Sequence, residues 1–271
     1  MLWSVAVCPP LARLYVKLLD LGVRRWRRTA VRNLEIAGIP DAGVIDGMCQ
    51  SLARMLVTFS RFPSRTRENV GEWIRYEGID HFQKAVARGR GVLIATAHLG
   101  NWELSAFAHA LMTAPMDVVV RPLDDARVNA LVERGRALSG NHIISKREAA
   151  REILRALKNG RAVGMLIDQN TAIEEGVFID FFGTRACAGT GFAKLAHHSG
   201  AAVVPGYALW SAKERRHILR FDAEIPMTGD VLADTQAIHT HLEGVIREHP
   251  DQYLWVHKRW KTRPPGERSL Y

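Results

Sequence analysis

Cysteine is scarce: Cys8, Cys49 and Cys187 are the only three in 271 residues. They are odd in number, far apart and without a CxxC or other metal-ligand spacing. A disulfide framework and a zinc site are therefore not expected, and a reducing compartment is favoured. Long apolar runs are also missing. Met1–Ala12 is largely apolar, but Arg13, Lys17 and Asp20 bring charge into the next turns. No run of about 18 to 20 uncharged residues exists, so no membrane-spanning helix is predicted. With neither a basic n-region nor a small-residue cleavage site, a signal peptide is not expected. There is no GxSxG elbow, which argues against an α/β-hydrolase, and no P-loop or GxGxxG for nucleotides. No RRM, KH or zinc-finger pattern appears, so nucleic-acid binding would rest on charge alone. Repeats and low-complexity segments are absent. Acidic residues are in deficit, 28 against 37 Lys and Arg, for a net charge of +9. Such a chain calls for an anionic partner: nucleic acid, an acidic carrier protein or an anionic membrane.

What is present is enough for one large α/β domain. The apolar share, 47%, is ordinary for a globular core. From residue 92 to residue 200, strand-like and helix-like segments alternate. This pattern predicts an α/β sandwich with a largely parallel central sheet. Strands are expected at Val92–Ala97, Asp117–Val120, His142–Ile144, Ala162–Ile167, Ala201–Trp210 and His217–Ala223, with a short one over Val70–Tyr76. Helices are expected at Asp41–Phe62, Ile79–Ala87, from Trp102, at Asp124–Ser139, Lys146–Lys158, Thr190–His198 and Asp234–Glu248. Val128, Leu131, Val132 and Leu138 give the Asp124–Ser139 helix its inward stripe. Arg147, Arg151, Arg155 and Lys158 line the outer face of the Lys146–Lys158 helix, as a solvated face or as a docking surface for an anionic partner. Before the sheet, Leu11, Leu14, Tyr15, Leu18 and Leu19 fall at helical spacing and lead into Arg24, Arg25, Arg27, Arg28 and Arg32. An apolar-faced helix running into cations suits an interfacial anchor. The organisation expected is a helical membrane-associating segment over 1–68, the α/β domain over 69–261 and a mobile tail over 262–271.

The stretch that carries chemistry is VLIATAHLGNWE, Val92–Glu103. A buried strand delivers His98, Gly100-Asn101 breaks the chain, and Asn101 can cap a helix whose first turn holds Glu103. Five residues apart on one helix, the two would diverge by about 140°. With His98 ahead of the helix they can meet, and a carboxylate beside an imidazole is the base-plus-orienter arrangement of acyl transfer. Arg121 and Asp168 likewise end predicted strands. In open α/β sheets ligands bind outside the C-terminal strand ends, which singles out His98, Arg121 and Asp168 together. His239 and His241 point about 200° apart on a helix and, with His197 and His198, read as ordinary histidines. Cys187 has no base placed beside it.

His-x4-Glu after a buried strand resembles the H-x4-D/E signature of the lysophospholipid acyltransferase superfamily. The fuller wording resembles its lipid A branch, the late (secondary) acyltransferases. The segments that carry it are GRGVLIATAHLGNWE, VVVRPLDD, RGRALSGNHII, LKNGRAVGMLIDQN, GVFIDFFG and YLWVHKRWK, in the family's order from about Arg75 to Lys261. The resemblance implies a glycerol-3-phosphate acyltransferase-like fold. It implies transfer of a fatty acyl group from an acyl carrier protein or coenzyme A thioester to a hydroxyl of a lipid A precursor. No metal and no cofactor beyond that co-substrate are implied. His98 is then the general base and Glu103 its orienter. Arg121 would bind an acceptor phosphate or assist the oxyanion, or simply pair with Asp124 or Asp125. Of Arg134 and Arg136 in RGRALSG, Arg136 better matches an arginine slot of the family, or it is a polar helix-face arginine. Asp168 and Gln169 match its Asp-Gln pair, and Asp168 could anchor Arg136 or Arg121 or contact the acceptor sugar. Phe181 and Phe182, in the FFG segment, could line an acyl groove or belong to the core. Trp255 and Trp260 among His257, Lys258, Arg259 and Lys261 suit a membrane interface or a phosphorylated headgroup. No nucleophilic Ser or Cys stands beside the base, so direct transfer without an acyl-enzyme is expected. The implied location is the cytoplasmic face of the bacterial inner membrane, peripheral or monotopic. The rival readings are a lysophospholipid or phosphatidylinositol mannoside acyltransferase, a thioesterase-like hydrolase, and a non-catalytic basic binding module.

Overall fold

The structure is a computed structural model that describes Leu14 and residues 24–145 and 149–271. The expected helix over Leu11–Leu19 lies, but for Leu14, outside the described residues, and so does the start of the expected Lys146–Lys158 helix. The described elements are α1 (Arg24–Ala37), α2 (Val44–Ser60), β1 (Ile74–Glu77), α3 (Ile79–Val86), β2 (Val92–Thr96), α4 (Trp102–Met112) and β3 (Asp117–Val120). Then come α5 (Ala126–Ala137), β4 (His142–Ser145), α6 (Ala149–Lys158), β5 (Ala162–Leu166), β6 (Gly176–Phe181), β7 (Thr184–Gly189), α7 (Gly191–Ser199), β8 (Ala202–Ser211), β9 (Arg216–Phe221) and α8 (Val231–Glu248). The expected strand over Val70–Tyr76 begins instead as a 3-10 turn, Val70–Glu72, before β1.

Seven strands form one sheet in the order β1-β9-β8-β2-β5-β3-β4. Every pairing is parallel except β8 with β9. The predicted α/β sandwich with a largely parallel sheet is therefore what the chain forms. The central strands are covered on both faces, which is why VLIATA and AVGMLI read as apolar runs rather than as alternations. On one face Ile94, Val204 and Leu219 pack with Phe82, Leu104 and Phe107. On the other, Leu93, Ala95 and Val203 pack with Ile153, Leu157 and Phe192. Successive residues of β2 supply opposite faces, as strand geometry requires.

A third apolar cluster closes the C-terminal end of the sheet. Ala97, Leu99 and Tyr207 meet Ala30 and Leu34 of α1, Ile45 and Met48 of α2, and Trp255 and Trp260 of the closing segment. The helices preceding β1 thus share a core with the α/β domain. Asn33 of α1 donates to the carbonyls of Trp255 and His257, fixing that segment. Residues 262–271, expected as a mobile tail, make specific contacts. Thr262 is bonded to Asn170 and Thr171, and Tyr271 donates to Asn33 and accepts from the Trp260 amide. Leu270 and Tyr271 also pack on the cluster. Trp260 is 0% exposed, and its indole donates to the carbonyls of Phe181 and Thr184. Trp260→Ala is expected to destabilise the fold by about 3–5 kcal/mol, read as a lower midpoint in chemical denaturation.

A correction concerns α5. None of its residues is buried. Val128 and Leu131, expected to face the core, are 49% and 45% exposed, and Leu138 beyond the helix is 53% exposed. The helix packs against β4 and, at Gly135, against Phe59 of α2, and among the described residues no element covers its outer face.

Candidate functional site

His98 sits two residues beyond β2. Its carbonyl accepts from the Leu254 amide, and the next residue, Leu99, bridges to Tyr253. The turn after it is held just as closely. Gly100 has φ +65, and a Cβ there would collide with the Ala208 carbonyl oxygen. Only glycine fits both the left-handed backbone and that approach. The Asn101 side chain accepts from the Leu104 amide and caps α4, as its position predicted.

β2 and β5 are parallel neighbours with Thr96 opposite Leu166. Two residues further along each chain stand His98 and Asp168. The Ile167 amide still donates to Thr96, extending the ladder toward them. His98 Nδ1 lies 2.9 Å from Asp168 Oδ1 and 3.2 Å from Oδ2. A carboxylate only accepts, so Nδ1 carries the proton and Nε2 presents its lone pair. Burial would lower the imidazole pKa, but the charge and hydrogen bond of Asp168, with the charge of Glu103, outweigh it and raise the value above the ordinary histidine level. Asp168 is itself buried, which disfavours its charge. The charge of His98, its Nδ1–H bond, and the backbone N–H groups of Asp168 and His98 overcome this and lower the carboxyl pKa.

Glu103 does something different from its expected role. It occupies the first turn of α4, where the helix dipole favours a carboxylate, and it receives Arg136 bidentately: Nε to Oε2 at 2.9 Å and Nη2 to Oε1 at 2.5 Å. The residue that bonds His98 Nδ1 is Asp168, not Glu103. Asp168 does not anchor Arg136 or Arg121. The partners are exchanged because strand register sets 98 against 168, while the start of α4 turns Glu103 toward α5. Glu103 remains close enough to act on His98 by charge.

The other sequence candidates separate. Arg121 ends β3 as expected but stays 78% exposed, with one 3.4 Å contact to Asp124. Gln169 is exposed beside Asp168. Phe181 and Phe182 do not line a groove: they are 0% and 5% exposed within the cluster around Trp255 and Trp260. The FFG segment makes the β6–β7 hairpin, which folds its aromatic residues inward. His239 is buried and bonded to the carbonyls of Thr235 and Ile167, and His241 is paired with Asp222. Among the described residues no three His, Cys, Asp or Glu side chains are grouped to hold a metal ion.

The apolar opening lies elsewhere. An open cleft runs between α4 and the β2, β5 and β3 strands. Trp102, Glu103 and Arg136 stand at one end, Ile94, Ala106 and Val118 line its length, and His109, Met116 and Phe221 lie at the other end. Ile94 and Thr96 are alternate residues on this face of β2, and His98 is the next in that alternation. The Trp102 ring stands edge-on to the His98 ring, with centroids 5.1 Å apart. Trp102, Tyr253 and His109 are not singled out by the sequence. Trp102 has a signal, since GNWE places it beside His98. The position of His109 on the cleft face of α4, seven residues after Trp102, becomes meaningful only once the cleft is known.

The arrangement can take a proton at Nε2, hold the resulting imidazolium against Asp168, and lay an apolar chain along α4. In agreement with that chemistry, residues 24–262 match the family described as bacterial lipid A biosynthesis acyltransferase. A lipid A biosynthesis palmitoleoyltransferase of Escherichia coli is 34% identical over 206 residues, 74% of this chain and 66% of the relative. A lipid A biosynthesis acyltransferase of Haemophilus influenzae is 24% identical over 84% of this chain and 71% of its own length. A phosphatidylinositol mannoside acyltransferase of Mycolicibacterium smegmatis is 25% identical over 91% of this chain and 82% of the relative.

Proposed function

Because this chain belongs to the bacterial lipid A biosynthesis acyltransferase family and is an O-acyltransferase, we propose that it moves a fatty acyl group from an acyl carrier protein thioester, or a coenzyme A thioester, onto a hydroxyl of a lipid A precursor. The observation that carries the mechanism is the His98–Asp168 bond. It leaves Nε2 as the proton acceptor. His98 withdraws the acceptor hydroxyl proton as that oxygen attacks the thioester carbonyl. The tetrahedral intermediate then collapses, and the departing thiolate takes the proton from the imidazolium. Asp168 orients the imidazole and stabilises its charged form. Glu103 adds charge at a distance, and Arg136 holds Glu103 at the cleft mouth. The acyl chain lies along the α4 cleft rather than against Phe181 and Phe182. No side chain acts as nucleophile, so transfer is direct.

A mass-spectrometric assay tests this: purified protein, carrier-protein thioesters, and a lipid A precursor and a lysophospholipid offered side by side. The expected product is one new ester on the lipid A precursor. Free fatty acid formed without acceptor would mark a hydrolase, and acylation of the lysophospholipid alone would move the chain to another branch of the superfamily. A second acceptor belongs in the same assay. The phosphatidylinositol mannoside acyltransferase of Mycolicibacterium smegmatis aligns over more of this chain than the Escherichia coli relative does, which favours a glycolipid mannoside as the alternative.

The proposed setting is the surface of an anionic membrane. Among the described residues no helix is long and apolar enough to cross one. Trp26 is 42% exposed among Arg24, Arg25 and Arg28 on α1, a composition suited to an interface. Leu123, Val128 and Leu131, on α5 and the loop before it, are also exposed, and exposed apolar side chains favour lipid or protein contact where they gather into a patch. Replacing Arg24, Arg25 and Arg28 with glutamine is expected to weaken binding to anionic vesicles by about two orders of magnitude at low salt, at roughly 1 kcal/mol each. Sedimentation with vesicles measures it, and neutral vesicles should show no such difference.

A further inference from the structure

The far end of the α4 cleft is polar, although its walls are apolar. His109, seven residues after Trp102 and so about 10 Å further along the helix, lines that end and is 2% exposed. Its Nδ1 shares a 2.8 Å hydrogen bond with Tyr76 Oη, which in turn lies 2.8 Å from Thr113 Oγ1. The imidazole is caged edge-on by Phe82 and Phe221, with centroids 4.7 and 5.6 Å away. Burial lowers its pKa to about 4, so it is neutral under ordinary conditions. His109 faces the cleft, walled by the Phe82 and Phe221 rings, and is backed by Tyr76 on β1, which is bonded in turn to Thr113 in the turn after α4.

We propose that the Tyr76–His109–Thr113 trio is the floor that sets the length of the transferred acyl chain, with His109 as the residue that meets its methyl end. The inference rests on the reading of the cleft as the acyl site and adds which residue measures the chain. An extra methylene cannot slide past His109 without displacing its ring. That would cost the buried His109 ring its bond to Tyr76 Oη, and an unmade bond in a buried place is expensive. Met116, which also borders the cleft, is flexible and would yield gradually. The hydrogen-bonded trio gives a sharper limit.

The test is a competition among carrier-protein thioesters of graded saturated chain length, with a lipid A precursor as acceptor, read by mass spectrometry. His109→Ala opens the floor. The ratio of kcat/KM for a chain two methylenes longer over the wild-type preference is expected to rise about 15-fold, since each buried methylene is worth about fourfold. Ala106→Leu fills the cleft above the floor and is expected to shift the preference toward shorter chains. Circular dichroism identifies a variant that fails to fold, and the other then decides. Folded variants that lose rate equally for every length, with the wild-type profile retained, overturn the proposal. Absence of transfer by the unmodified protein to any acceptor overturns the acyltransferase assignment of the cleft, and the floor with it.

Discussion

His98→Gln is expected to reduce acyl transfer by about 10²–10⁴-fold, the range associated with loss of a positioned general base. The melting transition and vesicle binding should be nearly unchanged. His98 is held mainly through its backbone, by Leu254, and through Asp168. Glutamine keeps a side chain that can still bond the carboxylate, so Asp168 is not left uncompensated. The measurement is single-turnover transfer with saturating donor, which separates the chemical step from binding and release. A variant that retained wild-type rates would leave the geometry at Nε2 without a catalytic role in this chain and favour a binding module.

Asp168→Asn is expected to be nearly as damaging, and it distinguishes the orienter found at Nδ1 from the one the sequence spacing suggests. The amide removes the charge that stabilises the imidazolium and can donate toward Nδ1, turning the proton to Nε2 and blocking the base. A fall of roughly 10²–10⁴-fold in the chemical step is the expected size of the effect. The residual activity should also change its pH dependence. A base must be neutral, so kcat/KM falls as pH drops through the His98 pKa. That pKa is raised in the wild type, chiefly because Asp168 overcomes burial. Without the carboxylate, burial prevails, the pKa falls and the acid limb moves to lower pH. Glu103→Gln should move the limb in the same direction but less, because its effect on His98 is the smaller of the two carboxylates'. It should instead loosen Arg136, whose bidentate pair it breaks.

The contrast between Asp168 and Glu103 shows what can be read from the chain and what cannot. The strand ends at His98, Arg121 and Asp168, the cap at Asn101 and the alternation of strands and helices all arise from local residue patterns, and they stand in the fold. Which carboxylate reaches His98 depends on strand order. That β5 lies beside β2 in register, with Leu166 opposite Thr96, is a tertiary fact with no local signature. The same limit applies to Phe181 and Phe182. An aromatic pair on a hairpin has no local feature that tells a groove from a core, and the choice is made by Trp255 and Trp260, some 75 residues later in the chain. For α5, periodicity marks an apolar stripe but cannot show whether another layer covers it, and among the described residues none does. The tail reads as mobile because it is a Pro-containing terminal stretch, whereas Tyr271 finds Asn33 on α1.

The chemistry proposed for the site turns on His98 being a neutral base with its proton on Nδ1 and its lone pair on Nε2. Nitrogen-15 NMR of protein labelled at histidine, with His98 assigned by comparison with His98→Gln, reads the tautomer directly. The expected result is the Nδ1–H form at neutral to alkaline pH, titrating above the ordinary histidine value and shifting downward in Asp168→Asn. An Nε2–H tautomer, or a titration below the ordinary value in the wild type, would contradict it.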